Sequence, residues 1–195
     1  KRGITLNQIE EQLNNFKNGF PYLEIRNAAS IGNGILLTSN SENQKYLAEW
    51  DAYLANKADV LKFVPASGAA SRMFKDLFSF LEGAEVTPST DFEKKFFDKI
   101  ANFAFYDDLN QACINTSGKP IEGLIENGQY KDVVGNLLNK DGLNYGALPK
   151  GLLRFHSYPT ERRTPMQEHL EEGARYASSD GKVNIHFTVS SEHRK

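Results

Sequence analysis

The sequence predicts an α/β fold on three observations. Leu61 to Val64 is a short apolar run, partly aromatic and β-branched, closed by Pro65 and followed by small residues and then helical spacing. Val183 to Val189 alternates apolar and polar residues as a strand does, soon after a helical segment that opens at Pro165. Amphipathic helical stretches fill the chain between them. The expected core is therefore a parallel, right-handed β-α-β unit from Leu61 to Val189, interrupted by a helical insertion and preceded by a helical N-terminal region.

The 195 residues suffice for one ordinary domain or the front of a larger one, and are too few for two complete enzymatic domains. With 39% hydrophobic and 25% charged residues the chain should bury a real core, which excludes disordered, collagen-like and disulfide-stapled classes. Lysine and arginine number 23 against 25 acidic residues, a net charge of -2, so no global attraction to nucleic acid or anionic lipid is expected. The single cysteine, Cys113, excludes an internal disulfide, argues against a structural zinc or iron–sulfur site, and reads as a small buried hydrophobe. With one cysteine a reducing cytoplasm is the expected compartment, and no apolar run approaches the roughly 18 residues of a membrane span. A start at Lys1 and an end just after a strand-like run read as a piece of a longer protein.

In chain order, Thr5 with Gln8 has capping-box spacing before Leu6, Ile9, Leu13 and Phe16, a first amphipathic helix that serves as packing and stops near Gly19 and Pro21. Gly32-Asn33-Gly34 signals a turn. Ser41 with Gln44 repeats the capping spacing ahead of a helical face of Tyr46, Leu47, Trp50, Tyr53 and Leu54, which places Trp50 in a core. Leu61 to Val64 is expected as a buried strand, Ala66 to Ser71 as a loop, and Arg72 to Leu81 as a helix ended by Gly83. One aromatic-rich helix is expected from Thr90 to about Leu109, and another from Ile121 to Leu138, weakened by Gly123, Gly128 and Gly135. After a glycine-containing loop, Leu152 to Phe155 reads as a short extended piece, and Pro165 to about Ala177 as a helix.

Two segments carry candidate chemistry. The loop Ala66, Ser67, Gly68, Ala69, Ala70 and Ser71 has side chains small enough for a backbone to approach a ligand. A helix opening there would present free N–H groups and a positive dipole end to an anion, commonly phosphate. Arg72 adds a planar donor fork suited to phosphate oxygens. Tight strand–helix packing is the alternative reason for such a loop, which has neither Walker nor dinucleotide-fingerprint spacing. In Leu148-Pro149-Lys150-Gly151, a proline before and a glycine after Lys150 can hold its ammonium over a turn, where it would neutralise a phosphoryl group; a surface lysine in a loop is the alternative. His156, His169, His186 and His193 lack paired ligand spacing and read as scattered structural residues. Glu192-His193, just beyond a strand end, is a secondary candidate for the same crevice, which in open α/β sheets lies at the carboxyl ends of the strands, while Arg162-Arg163 reads either as a source of phosphate contacts or as solvated loop charges.

Taken in order, these segments resemble the opening of the sugar-phosphate nucleotidylyltransferases. Ala66-Ser67-Gly68-Ala69-Ala70-Ser71-Arg72-Met73 is similar to their glycine-rich loop, and Pro149-Lys150-Gly151-Leu152-Leu153 to their Pro-Lys-x-Leu-Leu element. Thr164-Pro165-Met166-Gln167-Glu168-His169-Leu170 is similar to the helix that follows, with Val183 to Val189 as the next strand. The chain also resembles a bacterial domain-of-unknown-function family that shares these segments and a stretch like Gly19-Phe20-Pro21-Tyr22. The resemblance implies an incomplete Rossmann-like parallel sheet over residues 60–195, with 74–148 inserted, behind an N-terminal helical region over 1–59. It implies transfer of a nucleotidyl group from a nucleoside triphosphate to a sugar phosphate with release of pyrophosphate. Arg72 would hold the pyrophosphate, Lys150 would offset charge near the α-phosphate, and the residues from Ala66 to Ser71 would bind substrate. Magnesium is the implied cofactor, with ligands outside this chain. Ser67 and Ala70 stand where the enzymes have glycine, and Ser71 where they have threonine, so this loop has less freedom for positive φ. A non-catalytic module that binds phosphate or a nucleotide sugar is the alternative.

Overall fold

The computed structural model describes residues 3–194 of a chain that forms two compact units, Lys1–Glu49 and Trp50–Lys195. In the first, helix α1 (Leu6–Asn18) opens on the expected capping box: the Gln8 N–H donates to Thr5 Oγ1 at 3.3 Å, and the Thr5 N–H to Gln8 Oε1 at 2.8 Å. Its apolar residues stand exposed and none is buried. The two-residue strands β1 (Ser30–Ile31) and β2 (Gly34–Ile35) pair around the expected turn, where Gly32 and Gly34 take φ of +80° and +91°. Helix α2 (Asn40–Ala55) is capped two residues earlier than its spacing predicts. Ser39 and Glu42 exchange the reciprocal bonds, the Ser39 N–H donating to Glu42 Oε2 at 2.8 Å.

The second unit is mixed α/β. Strand β3 (Leu61–Pro65) lies parallel to β7 (Lys182–Thr188), Val64 opposite Phe187, and β6 (Ser178–Ser179) joins β7 antiparallel, giving the order β3-β7-β6. The expected parallel pairing of these distant segments is present. Helix α8 (Pro165–Tyr176), opened by a Thr164–Gln167 capping box and by proline in its first turn, packs on this sheet. Its approach is so close at Gly173 that a Cβ there would lie 2.7 Å from Ile185 Cδ1. Val64 and Lys62 are covered, whereas Leu61 and Phe63 are about 60% exposed. The expectation of a wholly buried β3 is thereby corrected: alternate side chains of a strand face opposite ways, and a layer packs on one face only. Trp50 is likewise not a core residue. It is 36% exposed, and its indole N–H donates to the Tyr176 carbonyl at 2.9 Å.

The intervening helices bury the main core, where Leu77, Leu109, Ile121, Leu124, Val133, Val134, Leu137 and Leu153 are essentially inaccessible. They are α3 (Lys75–Glu82), α4 (Asp91–Asp98), α5 (Tyr106–Ser117), α6 (Ile121–Glu126) and α7 (Tyr130–Leu138). Two expected long helices are each broken in two. A 3-10 turn at Ile100–Asn102 separates α4 from α5, and this lets Phe103 stack on Phe105 at 5.0 Å and lie 5.5 Å from Phe96. Between α6 and α7, Gly128 takes φ of +71° and its N–H closes on the Ile125 carbonyl. Antiparallel strands β4 (His156–Ser157) and β5 (Arg162–Arg163) lead into α8. Among the described residues no helix is long and apolar enough to cross a membrane.

Candidate functional site

The small-residue loop leaves β3 at Pro65. The Ala66 N–H extends the ladder by donating to the Thr188 carbonyl at 2.8 Å, and the chain then turns toward the Pro149–Lys150 segment. There the Lys150 N–H donates to the Gly68 carbonyl at 3.0 Å, and Ala69 pairs with Pro149 in an antiparallel bridge. The Lys150 side chain passes over Gly68: a Cβ added there would sit 3.8 Å from Lys150 Cδ. The two segments singled out in the sequence are thus joined by backbone hydrogen bonding. Pro149 suits this placement, since it takes part in a bridge without having an N–H to leave unpaired.

Around that junction lies a cavity of about 180 Å³, walled by Pro65, Ala66 and Gly68 from the β3 end and by Lys150 and Gly151 from the 3-10 turn Lys150–Leu152. Pro165, Met166 and His169 of α8 and Phe187 of β7 complete it. It therefore sits where the parallel strands end, the general location of ligand sites in open α/β sheets. Its volume is below the roughly 300 to 1,000 Å³ of sites that enclose a whole drug-sized ligand. This is space for one compact group of a larger molecule. The walls are apolar apart from the side chains of Lys150 and His169 and backbone groups.

The sequence-derived residues divide by position. Ala66, Gly68 and Lys150 line the cavity; Ser67, Ala69, Ala70, Ser71 and Arg72 do not. Ala70 is buried in the core instead. The expected helix onset at Arg72 is corrected: residues 71–74 form turns, with the Met73 N–H donating to the Ala70 carbonyl at 2.8 Å, and α3 begins only at Lys75. Phe74, Leu77 and Phe80 are all buried on one side, and the Met73–Ala70 bond, spanning three residues rather than four, closes the segment ahead of Lys75 as a turn. The free N–H groups at the start of α3 therefore do not open from the small-residue loop. Glu192 and His193 lie in a 3-10 turn after β7, where Ser190 Oγ and His193 Nδ1 are 2.8 Å apart, and they are not among the cavity walls.

His169, set aside in the sequence as structural, is in the cavity wall. Its Nδ1 is 3.2 Å from Glu172 Oε2 one turn along α8, an i,i+3 contact made possible by helical spacing. The same carboxylate accepts from Lys62 Nζ of β3 and from the Tyr176 hydroxyl at 3.2 Å. The Lys62 side chain is only 10% exposed and its ammonium lies 4.9 Å above the Tyr176 ring. Hydrogen bonding from Lys62, then from His169, holds the Glu172 carboxyl down at about 2. Burial opposes the charge on Lys62, yet Glu172 and Tyr176 raise its pKa overall. The signal available in the sequence was the spacing His169-x-x-Glu172, which begins in the third matched segment and ends just beyond it, but the Lys62 partner lies 110 positions away.

Magnesium takes oxygen ligands, predominantly carboxylates and water. No carboxylate lines the cavity, Glu172 is engaged by Lys62, and no cluster of three metal-binding side chains occurs among the described residues. The cavity walls therefore do not fit that ion. A second, larger cavity of about 580 Å³ lies among Phe74, Phe92, Phe96, Phe103, Phe105 and Phe155, with Lys95 and Lys99 also lining it. None of the sequence-derived candidate residues contributes to it. Phe92 and Phe103 stand partly open here.

A mixed α/β unit with a small polar-and-apolar cavity at the ends of two parallel strands is the class of protein that these features define. The chain belongs to the family described as Domain of unknown function (DUF4301), which it matches over residues 1–195. Comparison with curated proteins finds no match, and comparison with solved structures finds none either.

Proposed function

We propose that the cavity at Gly68 and Lys150 binds the phosphate of a phosphorylated small molecule, in a site organised for nucleotidyl transfer from a nucleoside triphosphate to a sugar phosphate. One observation carries the reading. Three segments that resemble nucleotidylyltransferase elements, separated by most of the second unit's length, come together at one cavity, two of them through the 3.0 Å bond from Lys150 to Gly68. An incomplete Rossmann-like sheet is the framework this reading supplies for the parallel β3–β7 pair. In this scheme the Lys150 ammonium offsets phosphate charge, and Ala66 and Gly68 let the backbone approach the ligand closely. Arg72, outside the walls, would serve a part of the ligand that extends beyond the cavity. Catalysis would be positional and electrostatic, without a covalent intermediate.

A non-catalytic phosphate-binding module is the second reading, favoured by cavity walls that carry no carboxylate for a metal. Calorimetric titration of the chain with glucose 1-phosphate tests the shared premise. Binding should weaken about tenfold or more in Lys150→Ala, because a hydrogen bond to a charged group contributes about 1.5–3 kcal/mol. Unchanged affinity in Lys150→Ala would remove both readings. Pyrophosphate release from a panel of nucleoside triphosphates with hexose 1-phosphates separates them, since only the transferase releases it.

A further inference from the structure

We infer that His169 is a ligand-reading residue of the cavity, held by Glu172 so that its Nε2 accepts a hydrogen bond from a hydroxyl of the phosphorylated ligand. The inference rests on the phosphate reading of the cavity and narrows it to a phosphate ester that carries a hydroxyl beside its phosphate.

The argument starts from the carboxylate. Glu172 is ionised and an ionised carboxylate only accepts, so its 3.2 Å contact with His169 Nδ1 requires the hydrogen on Nδ1. In the uncharged imidazole the proton on Nδ1 leaves a lone pair on Nε2, so the acceptor role belongs to the uncharged form of the ring. Among the described residues Nε2 has no hydrogen-bond partner, and the ring that carries it forms part of the cavity wall. Glu172 is itself fixed from two further sides, by the largely buried Lys62 and by the Tyr176 hydroxyl, so the ring is held through a chain of bonds anchored in β3. Lys150 supplies positive charge to the same cavity, while Met166 and Phe187 supply apolar wall; the Phe187 ring is 6.2 Å from the imidazole. A cation, an acceptor and an apolar wall within about 180 Å³ match a phosphate, a hydroxyl and the carbon frame between them.

Two dianionic probes of similar size separate this from simple charge attraction: glucose 1-phosphate, and cyclohexyl phosphate, which lacks the hydroxyls. Wild type should prefer glucose 1-phosphate. His169→Phe keeps an aromatic ring in the wall and removes the acceptor. It should weaken glucose 1-phosphate about three- to tenfold, the effect of one hydrogen bond, and leave cyclohexyl phosphate unchanged. Glu172→Ala should lose the same selectivity and Glu172→Gln, which keeps an acceptor oxygen, should recover part of it. Equal weakening of both probes in His169→Phe, or no effect on either, overturns the inference. Lys150→Ala should weaken both probes alike; if it does not, while His169→Phe still weakens glucose 1-phosphate alone, the phosphate reading and the phosphorylated-ligand inference fall, and only a hydroxyl contact at His169 stands. Absence of binding by wild type overturns both.

Discussion

Gly142→Ala is expected to be far more damaging than the same change at Gly151, although the two glycines lie in neighbouring loops. A Cβ at Gly142 would fall 1.9 Å from the Asn136 carbonyl oxygen, 2.6 Å from its carbon and 2.7 Å from Asn136 Cα. These are backbone atoms of α7, which cannot rotate aside as a side chain can. The turn must retreat by about 1 Å, and such overpacking typically costs about 1–3 kcal/mol. Hydrogen bonds tie it to α7: Leu143 N–H to the Asn136 carbonyl at 2.7 Å, Tyr145 N–H to Leu137 at 3.0 Å and Gly146 N–H to Leu138 at 3.1 Å. Each contributes about 0.5–1.5 kcal/mol, so loosening one or two beyond the strain brings the loss to about 3 kcal/mol. For a chain of this length that corresponds to a melting temperature lower by about 6–12 °C. An added Cβ at Gly151 meets nothing within 4 Å, so Gly151→Ala should stay within about 0.5 kcal/mol of wild type. Urea unfolding followed by circular dichroism measures both. Gly142→Ala within 1 kcal/mol of wild type would refute the packing of this turn against α7.

Further outcomes follow from single side chains. Cys113 is fully buried, and burial pushes its thiol up to about 11, so a thiol reagent at pH 8 should leave it unmodified in the native protein and label it once urea unfolds the chain. Fast labelling under native conditions would contradict its burial between α5 and its neighbours. The Glu172 carboxyl sits at about 2 against an ordinary 4.5, so its contribution to stability is full above about pH 4.5 and is lost as pH falls through about 2. After solvent screening of a half-exposed group, Glu172→Gln should cost about 1 kcal/mol at pH 7 and almost nothing near pH 2. Urea titrations at the two pH values make the comparison, and an equal cost at both would sink the ion-pair argument.

Local signals decided the ends of elements. Thr5–Gln8 opens α1 as its spacing predicts, because a capping box is complete within four residues, and α8 opens at Pro165 as that proline predicts. Leu61–Val64 and Val183–Val189 are recognisable as strands for the same reason: alternation and β-branching are properties of consecutive residues. The lone cysteine is buried, as a small apolar side chain without a partner would be. Where neighbours in space compete with local spacing, the reading departed from the structure. The aromatic stretch after Thr90 has continuous helical spacing, yet the chain breaks at Ile100–Asn102 so that Phe103 can stack on Phe105. Likewise helical periodicity runs from Arg72, but α3 starts at Lys75 with Phe74 buried ahead of it.

The candidate site shows the same division. Residue type alone marked Gly68 and Lys150, since a small loop residue and a proline-framed lysine have chemistry that needs no neighbour to be noticed. Their meeting through the Lys150–Gly68 bond, the exclusion of Arg72 from the cavity walls, and the Lys62–Glu172–His169 chain depend on tertiary structure. Those contacts join residues more than 80 positions apart or are chosen among several possible helix faces. By itself the sequence determined where α1, α8, β3 and β7 form and which side chains carry charge, for these are local properties. Only folding decided which charges face one another and which carboxylate holds which imidazole, because that requires the path of the whole chain to bring β3, α8 and the Lys150 turn together.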